Sequence, residues 1–232
     1  MAVIALVVLV YLLLPGLGHP PESYHRVNCV SNLKQLGIAL QIYHDQQKTF
    51  PPAYIADSEG KPMHSWRALL LPYFEDPDLA ILAKQYRFDE PWNGPNNRKL
   101  VAKAPAVFRC PSATDGEGET SYVAVVGDQT AWPGTNGIAW RNIGDGTSKT
   151  IAVVETVRSG INWLEPRDIA LHQSERGINS ADNRPSISSD HSGGANILFA
   201  DGAVHFLNDD VPPATLRRLL TANGGETVEI PD

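Results

Sequence analysis

The sequence has few cysteines, few charged residues and a deficit of basic side chains. Its 232 residues include 2 Cys, and charged residues make up 19% of the chain. Because 26 Asp and Glu outnumber 19 Lys and Arg, the formal net charge is −7. Binding to nucleic acid or to anionic lipid through a basic patch needs the opposite charge, so the composition argues against both. The sequence also lacks a Cys-x-x-Cys motif and clustered histidines, so it does not indicate a zinc site or a redox pair.

The two cysteines, Cys29 and Cys110, lie far apart in the sequence. In an oxidising compartment they can form one disulfide, which the chain-entropy model makes worth about 4–5 kcal/mol for so long a loop. The alternative is a pair of unbonded, buried thiols. We predict the disulfide.

Charged side chains are absent from the first segment, Met1–Leu14, which is almost entirely aliphatic. A helix of 14 to 17 residues spans roughly 21–26 Å, close to the ~30 Å hydrocarbon core of a bilayer. We predict a hydrophobic anchor helix over residues 1–17 that contacts the membrane. A cleaved signal peptide with Gly16 and Gly18 before the cut, or a buried core helix, are the alternatives. The first two readings place the rest of the chain outside the cytoplasm.

The remainder of the chain predicts one extracytoplasmic α+β domain over residues 28–232, joined to the anchor by a linker over residues 18–27. The linker is rich in proline and glycine, which interrupt a helix. A helix is predicted from Ser31 to Gln47, because apolar residues recur at the spacing of one helical face and Asn28 or Ser31 can cap it.

Short helices precede strands along the domain. Helices are predicted over residues 65–71, from the Asp76-Pro77 cap to about Tyr86, within 96–103, and over 213–222. Segments rich in β-branched and aromatic residues predict strands over residues 107–110, 121–126, 150–157, 196–200 and 203–207. This order indicates an α+β fold with a mainly antiparallel sheet. The last two strands flank Asp201-Gly202, which predicts a hairpin with a two-residue type I′ turn.

Residues able to bind a metal concentrate near this hairpin: His172, Asp190, His191, Asp201 and His205. Side chains on paired strands alternate between faces, and an aspartate in a turn serves the turn geometry. We therefore interpret His191, Asp201 and Gly202 as a structural motif, with a metal or ligand site as the alternative. No G-x-S-x-G or H-E-x-x-H motif is present, so no catalytic, cofactor-binding or metal-ligating residue is predicted.

Several segments together resemble the prepilin-type family common in planctomycetes, whose members carry a domain of unknown function (1559). They begin with Cys29-x-x-Asn32-Leu-Lys-Gln-Leu-Gly37, Tyr43-His44-Asp45 and Phe50-Pro51-Pro52, and end with His191 followed after nine residues by Asp201-Gly202. Between these lie Ser65-Trp66-Arg67, Phe108-Arg-Cys-Pro111, Thr120-Ser-Tyr-Val123, Asp145-Gly-Thr-Ser148 and Glu155, in the family's order. The resemblance spans roughly residues 5–207.

This resemblance implies a pilin-like fold, in which an N-terminal hydrophobic helix and short helices pack on the antiparallel sheet. It also implies a non-catalytic structural or assembly protein, anchored in the membrane and facing the periplasm or the cell surface. Its expected partners are other pilin-like or envelope proteins, and no nucleic acid. The family has also been grouped with extracellular solute-binding proteins, so a solute- or ligand-binding module is the alternative. A secreted metal-dependent hydrolase using His172, Asp190 and His191 is a third, weaker alternative.

Overall fold

The computed structural model describes residues 22–180, 185–226 and 228–231. It opens with one long helix, α1 (Glu22–Gln47). The predicted start of this helix at Asn28 or Ser31 is wrong, because the helix already includes Glu22. No proline interrupts it, since the last proline before it is Pro21 and the next comes after its end. Residues 22–27 of the predicted linker are therefore helical. The predicted anchor over residues 1–17 lies outside the described residues.

The other elements are short. Two β-hairpin strands, β1 (Tyr54–Ala56) and β2 (Pro62–Ser65), lead into helices α2 (Trp66–Leu70) and α3 (Pro77–Gln85). The remaining ones are β3 (Tyr122–Val123), β4 (Val125–Val126), β5 (Ile151–Glu155), β6 (Ile169–Ala170), α4 (Leu171–Ser174), β7 (Gly194–Phe199), β8 (Val204–Asn208) and α5 (Pro213–Leu220).

The predicted Asp76-Pro77 helix cap is confirmed, and the structure adds a second cap at Ser65. The Ser65 hydroxyl accepts a hydrogen bond from the Arg67 amide at the start of α2. The Asp76 carboxylate accepts bonds from two amides in the first turn of α3, and Pro77 occupies the position where a helix needs no amide donor.

A four-stranded antiparallel sheet with strand order β3-β5-β7-β8 forms the centre of the molecule. Strands β4 and β6 pair in parallel as a separate two-stranded sheet, so the predicted strand over residues 121–126 is divided between two sheets. The α+β class with mainly antiparallel sheets is confirmed.

The β7–β8 hairpin is confirmed, but its turn differs from the predicted type I′. Phe199 and Ala203 flank a three-residue loop, and the Gly202 amide donates to the Phe199 carbonyl at 3.0 Å. Of the loop residues only Gly202 has a positive φ, +89°, whereas a type I′ turn requires two. The loop is therefore a type I turn followed by a glycine in the left-handed region.

The central sheet has an apolar core on each face. On one face, Leu198 and Val153 belong to the core that includes Leu33, Leu36 and Leu40 of α1. On the other, Ile197 and Phe199 belong to the core that includes the buried leucines of α5. Because both faces are covered, every residue of β5 and β7 is buried.

One predicted strand is absent. Residues 107–110 do not form a strand; a 3-10 turn, Ala106–Phe108, lies there instead. The prolines at positions 105 and 111 have no amide hydrogen to contribute to a sheet. The side-chain amide of Asn32 donates to the carbonyls of Ala106 and Arg109, so a helix side chain takes the place of a neighbouring strand.

Helix α1 has the length of a membrane span but not the composition. Within residues 22–180, 185–226 and 228–231, no helix is both long and apolar enough to cross a bilayer.

Candidate functional site

The candidate site lies where helix α1 meets the central sheet. Cys29, in the second turn of α1, forms the predicted disulfide with Cys110, and their Cα atoms are 5.3 Å apart. The disulfide is buried, with relative exposures of 0% and 5% for the two residues. It joins α1 to the segment that follows the 3-10 turn at residues 106–108, so the helix is covalently attached to the domain.

His191 lies beside this disulfide and is 2% exposed. Its Nε2 is 3.5 Å from Cys110 Sγ and 3.6 Å from Glu155 Oε1. Its Nδ1 contacts the carboxylate of Glu22, at the first described residue of α1. Each ring nitrogen therefore faces a carboxylate, and the imidazole connects the start of α1 to the end of β5.

Glu155 is the buried carboxylate beside His191, with a relative exposure of 1%. Asn196 on β7 holds both of its oxygens: the backbone amide donates to Oε2 at 2.8 Å and the side-chain amide to Oε1 at 2.9 Å. Residue alternation along β5 turns Glu155 towards α1, because its neighbour Val154 belongs to the core on the opposite face.

The two carboxyl groups experience opposite electrostatic effects. Burial raises the pKa of Glu155, although hydrogen bonds from Asn196 and the charge of His191 act against it. For Glu22, burial also acts to raise the pKa, but hydrogen bonds with His191 and Ser112 and the charge of His191 outweigh it and lower the pKa. Glu22 therefore remains a carboxylate against the imidazole at neutral pH.

The other residues of the predicted motif serve the hairpin turn. The carboxylate of Asp201 accepts a hydrogen bond from the Ala203 amide at 2.9 Å, and its backbone carbonyl accepts one from Gln41 of α1 at 2.7 Å. Gly202 packs closely on the same glutamine side chain. Asp201 and Gly202 therefore connect the turn to α1 at a point separate from His191.

The remaining candidates are dispersed. His205 lies exposed on β8 with its ring edge against Phe199, and His172 is exposed on α4. Asp190 forms an ion pair with Arg158 at 3.2 Å. Among the described residues, the group whose atoms could surround a metal ion consists of Cys29, Cys110, Glu155 and His191.

A polar groove of about 590 Å³ opens next to the disulfide. Side chains of α1 form one wall and the segment from Ala104 to Ala113, including Arg109 and Cys110, forms the other. The groove lies between a helix and a loop of the same domain rather than between two lobes.

Sequence reasoning missed the partners of His191. In the sequence, Glu155 stands out only as one of the family landmarks, and Glu22 falls within the predicted linker. The sequence also does not indicate the buried ion pair of Arg67 and Asp168, although Ser65-Trp66-Arg67 is one of the landmarks. The Nη2–Oδ1 distance of this pair is 2.5 Å. Such pairs lack a local sequence signal, because their members are far apart in the chain: 36 positions for Glu155 and His191, 101 for Arg67 and Asp168, and 169 for Glu22 and His191.

Comparison with known proteins supplies a family but no characterised relative. The model of a family described as a protein of unknown function, DUF1559 (SBP_bac_10), matches residues 25–177 and 162–214. No curated protein and no solved structure matches the chain. Because the matched region contains the disulfide, His191 and Asp201-Gly202 and covers most of the sequence, the chain belongs to the DUF1559 family.

Proposed function

We propose that the protein is a membrane-anchored, pilin- or pseudopilin-like structural or assembly protein of the periplasm or cell surface, without catalytic activity. The observation that carries the proposal is the attachment of α1 to the rest of the domain along its length. Cys29 is bonded to Cys110, Asn32 donates to two carbonyls near the 3-10 turn, and Gln41 donates to the β7–β8 turn. A helix held in this way transmits force from an N-terminal anchor directly to the domain.

Three further features support this assignment. In the sequence, α1 follows the aliphatic segment Met1–Leu14 after a few residues. A buried disulfide is typical of proteins that mature in an oxidising compartment. Helix α1 also exposes Tyr24, Val27 and Ile38, with relative exposures of 55%, 64% and 54%, as apolar contacts for neighbouring envelope proteins.

Membrane fractionation of the full chain tests the anchor. We expect the parent protein, at its full uncleaved mass, to remain with membranes after a high-salt wash. The double variant Val8→Arg/Leu9→Arg should become soluble, because two charges oppose insertion. Ile81→Arg, at an exposed apolar residue of α3, is the matched control and should stay with the membrane. Parent protein of full mass found wholly in the soluble fraction would contradict the anchor.

Cross-linking in intact envelopes tests the assembly role separately. Val27→Glu should reduce cross-linked species without changing fractionation, whereas Ile81→Glu should leave both unchanged. If the parent gives no cross-linked species, the assembly role is wrong even if the anchor is correct.

The polar groove favours a second candidate function, an extracytoplasmic solute-binding module. The groove presents Asn28, Ser31, Asn32 and Gln35 opposite Arg109, a combination that suits a small carboxylate-bearing solute. Calorimetric titration with a panel of small carboxylates should then show binding that Arg109→Ala weakens and Arg98→Ala leaves unchanged. Absence of heat with the whole panel would argue against this candidate.

A further inference from the structure

The disulfide and the two polar residues beside it, Glu155 and His191, form a cluster of side chains that can act as metal ligands. One ligand atom each from Cys29, Cys110, Glu155 and His191 lies within 4.8 Å of all the others, and all four residues are buried. Two sulfurs, an imidazole nitrogen and a carboxylate oxygen are a ligand set that suits Zn²⁺, which prefers four ligands in a tetrahedral arrangement.

The distances around His191 already match such a site. With ordinary Zn–S and Zn–N bonds at the tetrahedral angle, a nitrogen and a sulfur ligand lie about 3.5 Å apart, and a nitrogen and an oxygen ligand about 3.4 Å apart. The observed separations from His191 Nε2 are 3.5 Å to Cys110 Sγ and 3.6 Å to Glu155 Oε1. Only the two sulfurs are too close, because they are bonded to each other; reduction frees them to separate by side-chain rotation to about 3.8 Å.

The surroundings of these ligands resemble the outer shell of a metal site. A metal-binding histidine commonly has its second ring nitrogen held by a carboxylate, as Glu22 holds Nδ1 here. This contact leaves Nε2 directed at the sulfurs. Asn196 fixes the Glu155 carboxylate through both oxygens, and its bond to Oε2 persists if Oε1 binds a metal.

We propose that reduction of the Cys29–Cys110 disulfide converts this cluster into a Zn²⁺ site formed by Cys29, Cys110, Glu155 and His191. A dithiol reductant supplies two electrons and two protons, the S–S bond breaks into two thiols, and the reductant leaves as its own disulfide. On binding Zn²⁺ the two thiols release their protons to solvent, and the metal keeps its oxidation state. The metal then replaces the disulfide as the cross-link between α1 and the segment around Cys110.

The groove beside α1 provides a route to this site. Cys110 is one of the residues that line the groove, whereas Cys29, Glu155 and His191 do not line it. A reductant that enters the groove therefore meets Cys110 before Cys29, and Zn²⁺ follows the same path.

Metal stoichiometry in two redox states tests the proposal. The full chain in detergent is reduced with a phosphine, which takes up oxygen from water and adds no thiol ligand, and is then incubated with Zn²⁺ and desalted without oxygen. We expect about one Zn²⁺ per reduced chain, little in the oxidised chain, and release of the metal on reoxidation. Equal binding by oxidised and reduced protein, no binding by the reduced protein, or retention after reoxidation would each overturn the proposal.

Variants test the ligand assignment. His191→Ala should weaken Zn²⁺ binding by more than about 100-fold, and Glu22→Ala, which removes the outer contact, by about 10-fold to 100-fold. His205→Ala and His172→Ala, at exposed histidines, are the matched controls and should bind like the parent. If His191→Ala folds and binds Zn²⁺ as tightly as the parent, the assignment is wrong.

Cobalt spectroscopy of the parent chain keeps the test independent of how the variants fold. Co²⁺ added to the reduced protein should give sulfur-to-cobalt charge transfer and the intense visible bands of a tetrahedral site. Weak octahedral bands without charge transfer would overturn the proposal.

Discussion

At the scale of single residues, the position of Gly202 requires glycine for two reasons, its backbone conformation and its close contact with α1. Its φ of +89° lies in the left-handed region, and an added Cβ would approach Gln41 Nε2 to 2.5 Å. We expect Gly202→Val to lower the free energy of unfolding by about 1–3 kcal/mol through backbone strain, and to disturb the bond from Gln41 to the Asp201 carbonyl. Chemical denaturation of the full chain in detergent measures the change.

Gly60→Val provides the matched control for Gly202. Gly60 has nearly the same φ, +83°, but no atom lies within 4 Å of its added Cβ. The control should therefore show the strain alone, and the difference between the variants reports the contact with α1. A Gly202→Val variant as stable as the parent would contradict the left-handed turn.

A buried histidine gives a prediction about pH. His64 is 3% exposed, and its Nδ1 lies 2.8 Å from the Tyr86 hydroxyl. Burial lowers the pKa of His64 below its ordinary 6.5, although a hydrogen bond with Phe88 acts against this. As the pH falls, the unfolded chain therefore takes up a proton at His64 before the folded chain does. The stability that neutral His64 contributes above pH 6.5 is lost as the pH falls through the folded-state pKa.

We expect His64→Gln to make the free energy of unfolding less sensitive to pH in the window below 6.5. Denaturation curves recorded at several pH values across that window measure the slope. His172→Gln, at an exposed histidine, is the control and should retain the parent's slope. An unchanged slope in His64→Gln would show that His64 is not the group responsible.

At the scale of elements, the packing of α1 on the sheet depends on a glycine. A Cβ at Gly37 would lie 3.0 Å from Leu198 Cδ1 and 3.3 Å from the Gly202 Cα. Helix and sheet therefore approach too closely for a large side chain. We expect Gly37→Leu to destabilise the domain by about 1–3 kcal/mol, measured by denaturation.

Lys34→Leu, on the exposed side of the same helix, is the control for Gly37→Leu and should change stability little. Because both substitutions introduce the same side chain into α1, their difference isolates the contact with the sheet. Equal stabilities of the two variants would contradict the close approach.

Some elements are determined by residues close to them in the sequence, and others by contacts with distant parts of the chain. Helices α2 and α3 begin at Ser65 and Asp76 because each cap residue accepts bonds from amides two or three positions on. The segment 106–109 is different: its β-branched and aromatic residues favour a strand, but the Asn32 side chain, from another element, bonds the carbonyls of Ala106 and Arg109. Local pattern therefore predicts the first case and fails in the second.

At the scale of the whole molecule, the disulfide connects the start of the described chain to its middle. The cysteines are separated by 81 positions, so the chain-entropy model predicts that the double variant Cys29→Ser/Cys110→Ser loses about 4–5 kcal/mol of stability. Denaturation in the presence of a chelator, with and without reductant, measures this. The reduced parent should resemble the double variant, and equal stability of oxidised parent and double variant would contradict the prediction.

The sequence by itself determined the features that depend on neighbouring residues or on strong pattern. These are the α+β order, the hairpin flanking Asp201-Gly202, the Asp76-Pro77 helix cap and, through the scarcity of cysteine, the pairing of Cys29 with Cys110. Tertiary structure alone decided which residues surround His191. Glu22 and Glu155 lie 169 and 36 positions from it, and they meet only because α1 crosses the face of the sheet on which β5 presents its carboxylate. No local periodicity encodes such a meeting, since it is the burial of apolar faces on α1 and the sheet that brings these polar groups together.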